Sequence, residues 1–197
     1  MKKTVLLLVT LIMGSVAFAQ IPGFTLGPKV GASFSKFTTD KDQIKEEMKS
    51  TFYFGAFARL GKKVYLQPEF LIMSRNGLLQ DKNISGSTNT LKIRSIDVPL
   101  MFGVKVLDLK AANVRVMAGP VASLIISKSI NSENWDEAIN KDDIRNANWG
   151  LQFGAGADVL FLTLDLRYEI GMNDLSKLEG FSLKNNMFTV GLGWKIL

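Results

Sequence analysis

Between Trp149 and Met172 the chain alternates apolar and polar residues one by one. Trp149, Leu151, Phe153, Ala155, Ala157 and Val159 interleave with Gly150, Gln152, Gly154, Gly156 and Asp158. After Leu160-Phe161 the pattern resumes, with Leu162, Leu164, Leu166, Tyr168 and Ile170 set against Thr163, Asp165, Arg167, Glu169 and Gly171. A period of two belongs to a β-strand. One face is bulky and apolar; the other carries charge and glycine. A soluble β-protein turns its bulky face to a core and its charges to water. A membrane barrel turns the bulky face to lipid and encloses the charges.

The rest of the chain repeats this alternation. A closing strand reads Phe188, Val190, Leu192, Trp194 and Ile196 against Thr189, Gly191, Gly193 and Lys195. Five strands are predicted ahead of Trp149. The first covers about 24–36, with Leu26, Val30, Ala32 and Phe34 opposed to Lys29, Gly31, Ser33 and Ser35. The second covers about 51–60, with Phe52, Phe54, Ala56, Ala58 and Leu60 opposed to Tyr53, Gly55, Phe57 and Arg59. The third covers about 64–74 and places Tyr65, Gln67 and Glu69 on the polar side. The fourth, about 92–106, places Asp97, Met101, Gly103 and Lys105 there; the fifth, about 113–126, places Arg115, Met117, Gly119 and Ser123.

The connections alternate in length. Segments 37–50, 75–91, 127–146 and 173–186 are long; 61–63, 107–112 and 160–161 are short. Long outer loops and short periplasmic turns distinguish a membrane barrel. Residues 40–50 could form a short surface helix. If Leu160-Phe161 is a two-residue turn, Val159 faces Leu162, Gly156 faces Asp165, Gly154 faces Arg167 and Gln152 faces Glu169. Leu160-Phe161 lacks the Gly or Asn favoured in such turns, so a longer turn is the alternative. A three-residue turn at 61–63 would set Arg59 opposite Tyr65 and Gly55 opposite Glu69. A one-residue slip would exchange the faces, so these pairings test the reading.

The N-terminus adds a destination. Lys2 and Lys3 precede an apolar run from Val5 to Met13, and Ala17-Phe18-Ala19 is a small-x-small cleavage site. This predicts a signal peptide over residues 1–19 and a mature barrel domain over residues 20–197. Loss of Lys2 and Lys3 lowers the formal net charge of +6 by two. The remaining excess is not gathered into a tract, which gives nucleic-acid binding no support. The chain has no Cys and no His. It therefore lacks disulfides, the usual general base and the commonest metal ligand. No G-x-x-x-x-G-K-[ST] occurs among the glycines, and Asp136, Glu137, Asp142 and Asp143 match no Ca²⁺ loop. The expectation is a protein that is no enzyme and holds no cofactor or metal.

Five segments together carry a family resemblance. They are K-V-G-A-S-F-S, Y-L-Q-P-E-F, I-D-V-P-L, A-G-P-V-A-S-L and G-A-G-A-D-V-L-F-L-T-L-D-L-R-Y-E-I-G-M. In this order, from about Gly23 to Leu197, they resemble the small PorT-like outer-membrane β-barrel domain of Bacteroidota. The resemblance implies an eight-stranded antiparallel up-and-down transmembrane β-barrel in a Gram-negative outer membrane. The chain departs from the usual pattern at Leu197, where such barrels typically end in an aromatic residue.

The proposed lumen then holds Lys29, Arg59, Lys105, Arg115, Arg167 and Lys195 against Glu69, Asp97, Asp158, Asp165 and Glu169. Eight strands enclose a space that side chains can fill, and charges buried there must be paired. A neutral plug is favoured over a gated polar pathway. Arg167 is expected to bridge Glu69, Asp97 and Glu169 as the only Arg at their depth, with Lys29 as second candidate. Lumenal glycines 31, 55, 103, 119, 154, 156, 191 and 193 would make room for long side chains. Phe52, Phe54 and Trp149 would mark the outer interface, Phe24 and Trp194 the periplasmic one. Three functional classes follow: a structural or interaction barrel acting through its extracellular loops, an envelope-assembly or secretion accessory, and a small-solute transporter. The partners expected are outer-membrane lipid and, at the loops, a protein or surface polymer; the barrel itself is expected to be a monomer.

Overall fold

The computed structural model describes residues 23–39, 44–81, 88–109, 111–133, 146–173 and 183–196. The predicted signal segment and the acidic stretch 136–143 lie outside them. Eight strands follow in order: β1 (Phe24–Thr39), β2 (Ile44–Gly61), β3 (Val64–Asp81), β4 (Thr88–Asp108), β5 (Ala112–Glu133), β6 (Ala147–Val159), β7 (Leu162–Gly171) and β8 (Leu183–Trp194). Each pairs with the next, and β8 returns to β1, so the sheet is a closed barrel. All pairings are antiparallel. Closure removes the free edges that an open sheet would expose.

The alternation sorts the side chains as the sequence requires. β7 alternates exposed and buried residues along its whole length. Outward lie Val30, Phe52, Phe54, Phe70, Phe102, Val116, Phe153, Leu164 and Leu192, all substantially exposed. Inward lie Lys29, Arg59, Glu69, Asp97, Arg115, Asp165 and Arg167, each at most 3% exposed. The protein is therefore apolar outside and ionic inside. An interior of charge under a belt of exposed Phe, Leu and Val has one stable setting, a hydrocarbon surround.

The β6–β7 hairpin is a two-residue turn. Val159 pairs with Leu162, Asp158 with Thr163, Gly156 with Asp165, Gly154 with Arg167 and Gln152 with Glu169. Leu160 takes a positive φ of 52° to make this turn.

The β2–β3 hairpin differs from expectation by two residues. Gly61 pairs with Tyr65 and Phe57 with Glu69, so neither Arg59–Tyr65 nor Gly55–Glu69 is a partner pair. Gly61 adopts a φ of 122° and donates its N–H to Gly23 O at 3.0 Å, so it stays in the sheet and the chain reverses after it. A shift of two preserves both faces, whereas a shift of one would not.

The strands also run further than their apolar alternation. β2 begins at Ile44, so the expected helix over 40–50 does not form across its described part. Phe52 and Phe54 consequently sit in the middle of β2 rather than near its outer end. β3 continues to Asp81 and β4 starts at Thr88, so most of the expected loop over 75–91 is strand. β5 reaches Glu133 by the same extension. Polar Asn, Ser and Thr residues lack a hydrophobic period, but ladder hydrogen bonds to the neighbouring strand hold them extended.

Candidate functional site

The inward side chains form two ionic tiers. The first lies in the half of the barrel nearer the short turns. Lys29 on β1 reaches across the interior to Glu69 on β3 at 3.1 and 3.3 Å, and also bonds Asp165 on β7. Arg167 on β7 holds Glu69 with both terminal nitrogens, at 2.9 and 2.6 Å, and Asp165 at 2.7 Å. The parallel fork of a guanidinium on a carboxylate is the strongest of these arrangements. Arg115 on β5 bonds Asp158 and Asp165, and donates to Thr163 Oγ1 at 2.6 Å. Arg59 on β2 donates to Asp158 at 2.6 Å and to Gln67 at 2.7 Å. Asn113 adds a third donor to Asp158 at 3.0 Å.

The second tier lies toward the long connections and is built around Arg75. This residue bonds Asp97 and donates to Ser123 Oγ at 3.0 Å. Glu169 Oε1 lies 3.1 Å from the same nitrogen, an ion-pair contact too oblique for a hydrogen bond. Glu169 accepts instead from Gln152 Nε2 at 2.8 Å. Along β3, buried Leu71 and Met73 separate Glu69 from Arg75, and they pack with Tyr53 and Met187.

Arg75 corrects the expected network. Arg167 is not the only Arg at this level, and it meets neither Asp97 nor Glu169; Arg75 pairs with both. The residue was hidden in S-R-N-G, which reads as loop. Its signal was parity, because 75 continues the inward series 65, 67, 69, 71, 73. Lys105 stands apart from the tiers, and Lys195 touches only the edge of the first. They are a fifth exposed at the short-turn end, 3.6 Å from Asp108 and 3.8 Å from Asp158 respectively.

Charge is balanced across the tiers. The first holds Lys29, Arg59, Arg115 and Arg167 against Glu69, Asp158 and Asp165, an excess of one positive charge. The second holds Arg75 against Asp97 and Glu169, an excess of one negative charge. Interior glycines admit the large groups. A Cβ on Gly103 would strike the Tyr65 ring, one on Gly191 the Tyr53 hydroxyl, and one on Gly156 the Arg115 guanidinium. Gly55, Gly119 and Gly154 serve a different purpose, because a Cβ there would meet the carbonyl of the neighbouring strand. Among the described residues no group of His, Cys, Asp or Glu is arranged to hold a metal ion.

An ionic interior, an apolar exterior and full closure together define a transmembrane β-barrel of the outer-membrane type. Residues 18–177 match the family described as outer membrane protein β-barrel domain, and the chain belongs to that family. It is located in the outer membrane. No curated protein matches the sequence. Among solved structures, it is similar to the outer membrane protein OprG of Pseudomonas aeruginosa, at 12% identity over 88% of this chain and 96% of that one, with a TM-score of 0.52. It is also similar to Ail, the attachment invasion locus protein of Yersinia pestis, at 14% identity over 88% of this chain and 99% of that one, with a TM-score of 0.48. At such identity the OprG likeness speaks to the fold alone.

Proposed function

We propose that this chain is a non-enzymatic outer-membrane barrel whose interior is plugged by its own charges and which acts as a structural and interaction protein through the segments it displays outside. The observation that carries this reading is the lattice around Glu69 and Asp165. It draws side chains from β1, β3, β5 and β7 into contact across the lumen. A lattice of that span supports a filled cross-section over an open channel. Opening it would strand buried charges, at about 3–5 kcal/mol for each broken pair. An eight-stranded barrel also has room only for side chains or one small ligand.

The display half of the proposal rests on strand length. A tilted membrane strand needs about 9–11 residues, while β4 has 21 and β5 has 22. The surplus raises a wall of sheet beyond the bilayer and carries the long connections with it. The narrower PorT-like affiliation and removal of residues 1–19 belong to the same proposal, and rest on the motifs and signal pattern given above. Purified protein in planar lipid bilayers should give no stepwise conductance, whereas the double substitution Glu69→Ala, Arg167→Ala should introduce leak currents. Stable unitary currents from the unmodified protein would replace the plug with a channel.

A further inference from the structure

The apolar belt ends on β4 at an abrupt change of chemistry. Outward-facing Val106, Val104, Phe102, Leu100, Val98 and Ile96 follow one another up the strand. At about 3.3 Å per residue and a tilt near 40°, the rise from Val106 to Ile96 is about 25 Å. That is the height of the apolar band in such barrels. The next two outward residues are Arg94 and Lys92, and both are exposed. They therefore project sideways at the depth of the outer headgroups, not upward into open water.

Three further features set them apart from ordinary surface cations. Among the described residues neither has an ion pair. Arg94 pairs in register with Ser74 on β3 and Ser127 on β5, and Lys92 pairs with Ser129. These flanking residues are exposed or half-buried, which surrounds the cations with hydroxyl groups. Finally, the β4–β5 register shifts between Arg94 and Ser95, so Ile126 and Ser127 are both exposed there. Such a bulge re-aims side chains, and here it sets a hydroxyl beside Arg94 directly above an apolar residue.

We infer that Arg94 and Lys92, with Ser127 and Ser129, form a binding site for a phosphorylated headgroup of an outer-leaflet glycolipid. A guanidinium and an ammonium two residues apart on one strand face lie about 6–7 Å from each other, which a phosphate can bridge. Arg supplies a planar fork for two phosphate oxygens, Lys a mobile point charge, and the serines single hydrogen bonds. The lipid's acyl chains would lie down the belt below, over Ile96, Val98 and Leu124. This occupant satisfies the charged and the apolar parts of the surface at once, which a soluble anion does not.

The test uses the full chain in detergent micelles, with bisphosphorylated lipid A as probe and the same lipid without phosphates as control. Co-retained lipid is read by native mass spectrometry, and folding by the heat-dependent shift in gel mobility. The unmodified protein should retain the phosphorylated lipid in preference to the control. Lys92→Gln with Arg94→Gln should weaken retention roughly tenfold, the scale of losing a charge-assisted contact. Lys62→Gln with Lys63→Gln, at the opposite end, should leave it unchanged. Ser127→Asp provides a second route, since a carboxylate placed opposite Arg94 should compete with the phosphate and also weaken retention. Equal retention of the two lipids, undiminished binding by the folded variants, or displacement of the lipid by a soluble phosphorylated polysaccharide would each overturn the assignment.

Discussion

Arg167 grips Glu69 through both terminal nitrogens and touches Asp165 with one of them. Removing it leaves Glu69 relying on Lys29, which it shares with Asp165, while Asp165 keeps Arg115 as well. Arg167→Ala should therefore destabilise the barrel by about 3–5 kcal/mol, and adding Glu69→Gln should recover part of the loss. Urea titrations of the four proteins form the cycle. Coupling to Glu69 is expected, while Asp97 and Glu169 should couple to Arg75 instead. No coupling between Arg167 and Glu69 would refute the lattice. A steric test complements this electrostatic one. Tyr65 lies inward under Arg59, with the guanidinium 5.0 Å from its ring centre, and its ring occupies the space above Gly103. Gly103→Ala should cost about 1–3 kcal/mol, the usual range for overpacking, and should become nearly neutral in a Tyr65→Ala background. A cost that persists there would place the clash elsewhere. Most inward charges were legible because their odd or even position fixed their face. Arg75 was not, because Ser74 and Asn76 flank it where apolar residues would mark the outward face, and Gly77 follows.

For the strands, period was informative and extent was not. Within the belt, alternation located all eight elements, and with a two-residue turn at Leu160-Phe161 it gave the β6–β7 register; a slip by one would have put charge into lipid. Above the belt both faces are polar, the period vanishes, and only pairing with a neighbour keeps the chain extended. The same limit explains the β2–β3 hairpin. Registers two residues apart satisfy the faces equally, and the choice fell to Gly61, whose positive φ the alternation does not reveal. The face assignment itself is directly testable on β7, where Leu164 points outward and Asp165 inward. Leu164→Arg should cost about 2–4 kcal/mol, as expected for a cation placed in the apolar band. Unfolding in lipid vesicles is the measurement, and stability equal to the unmodified protein would mean that β7 is turned the wrong way.

As a whole molecule, the barrel is uneven in height. β2 to β5 are 18, 18, 21 and 22 residues long, whereas β6 to β8 are 13, 10 and 12. All the surplus extends from one end, because the short turns after Gly61, Asp108 and Val159 share the other. The long end must face outward if short turns mark the periplasmic side. The headgroup site on β4 needs the same orientation, since Arg94 and Lys92 stand at the long end. The absence of cysteine makes this easy to examine, because an introduced thiol is unique in the chain. Ser132 lies near the outer end of β5, five residues beyond Ser127, while Lys62 lies exposed in the turn between β2 and β3. In intact cells Ser132→Cys should react with a bulky, polymer-linked maleimide that cannot cross the outer membrane. Lys62→Cys should react only once that membrane is opened. The reverse pattern would invert the barrel, and with it both the display of the tall wall and the lipid contact. Labelling of both sites without opening would mean that the chain does not span the membrane at all.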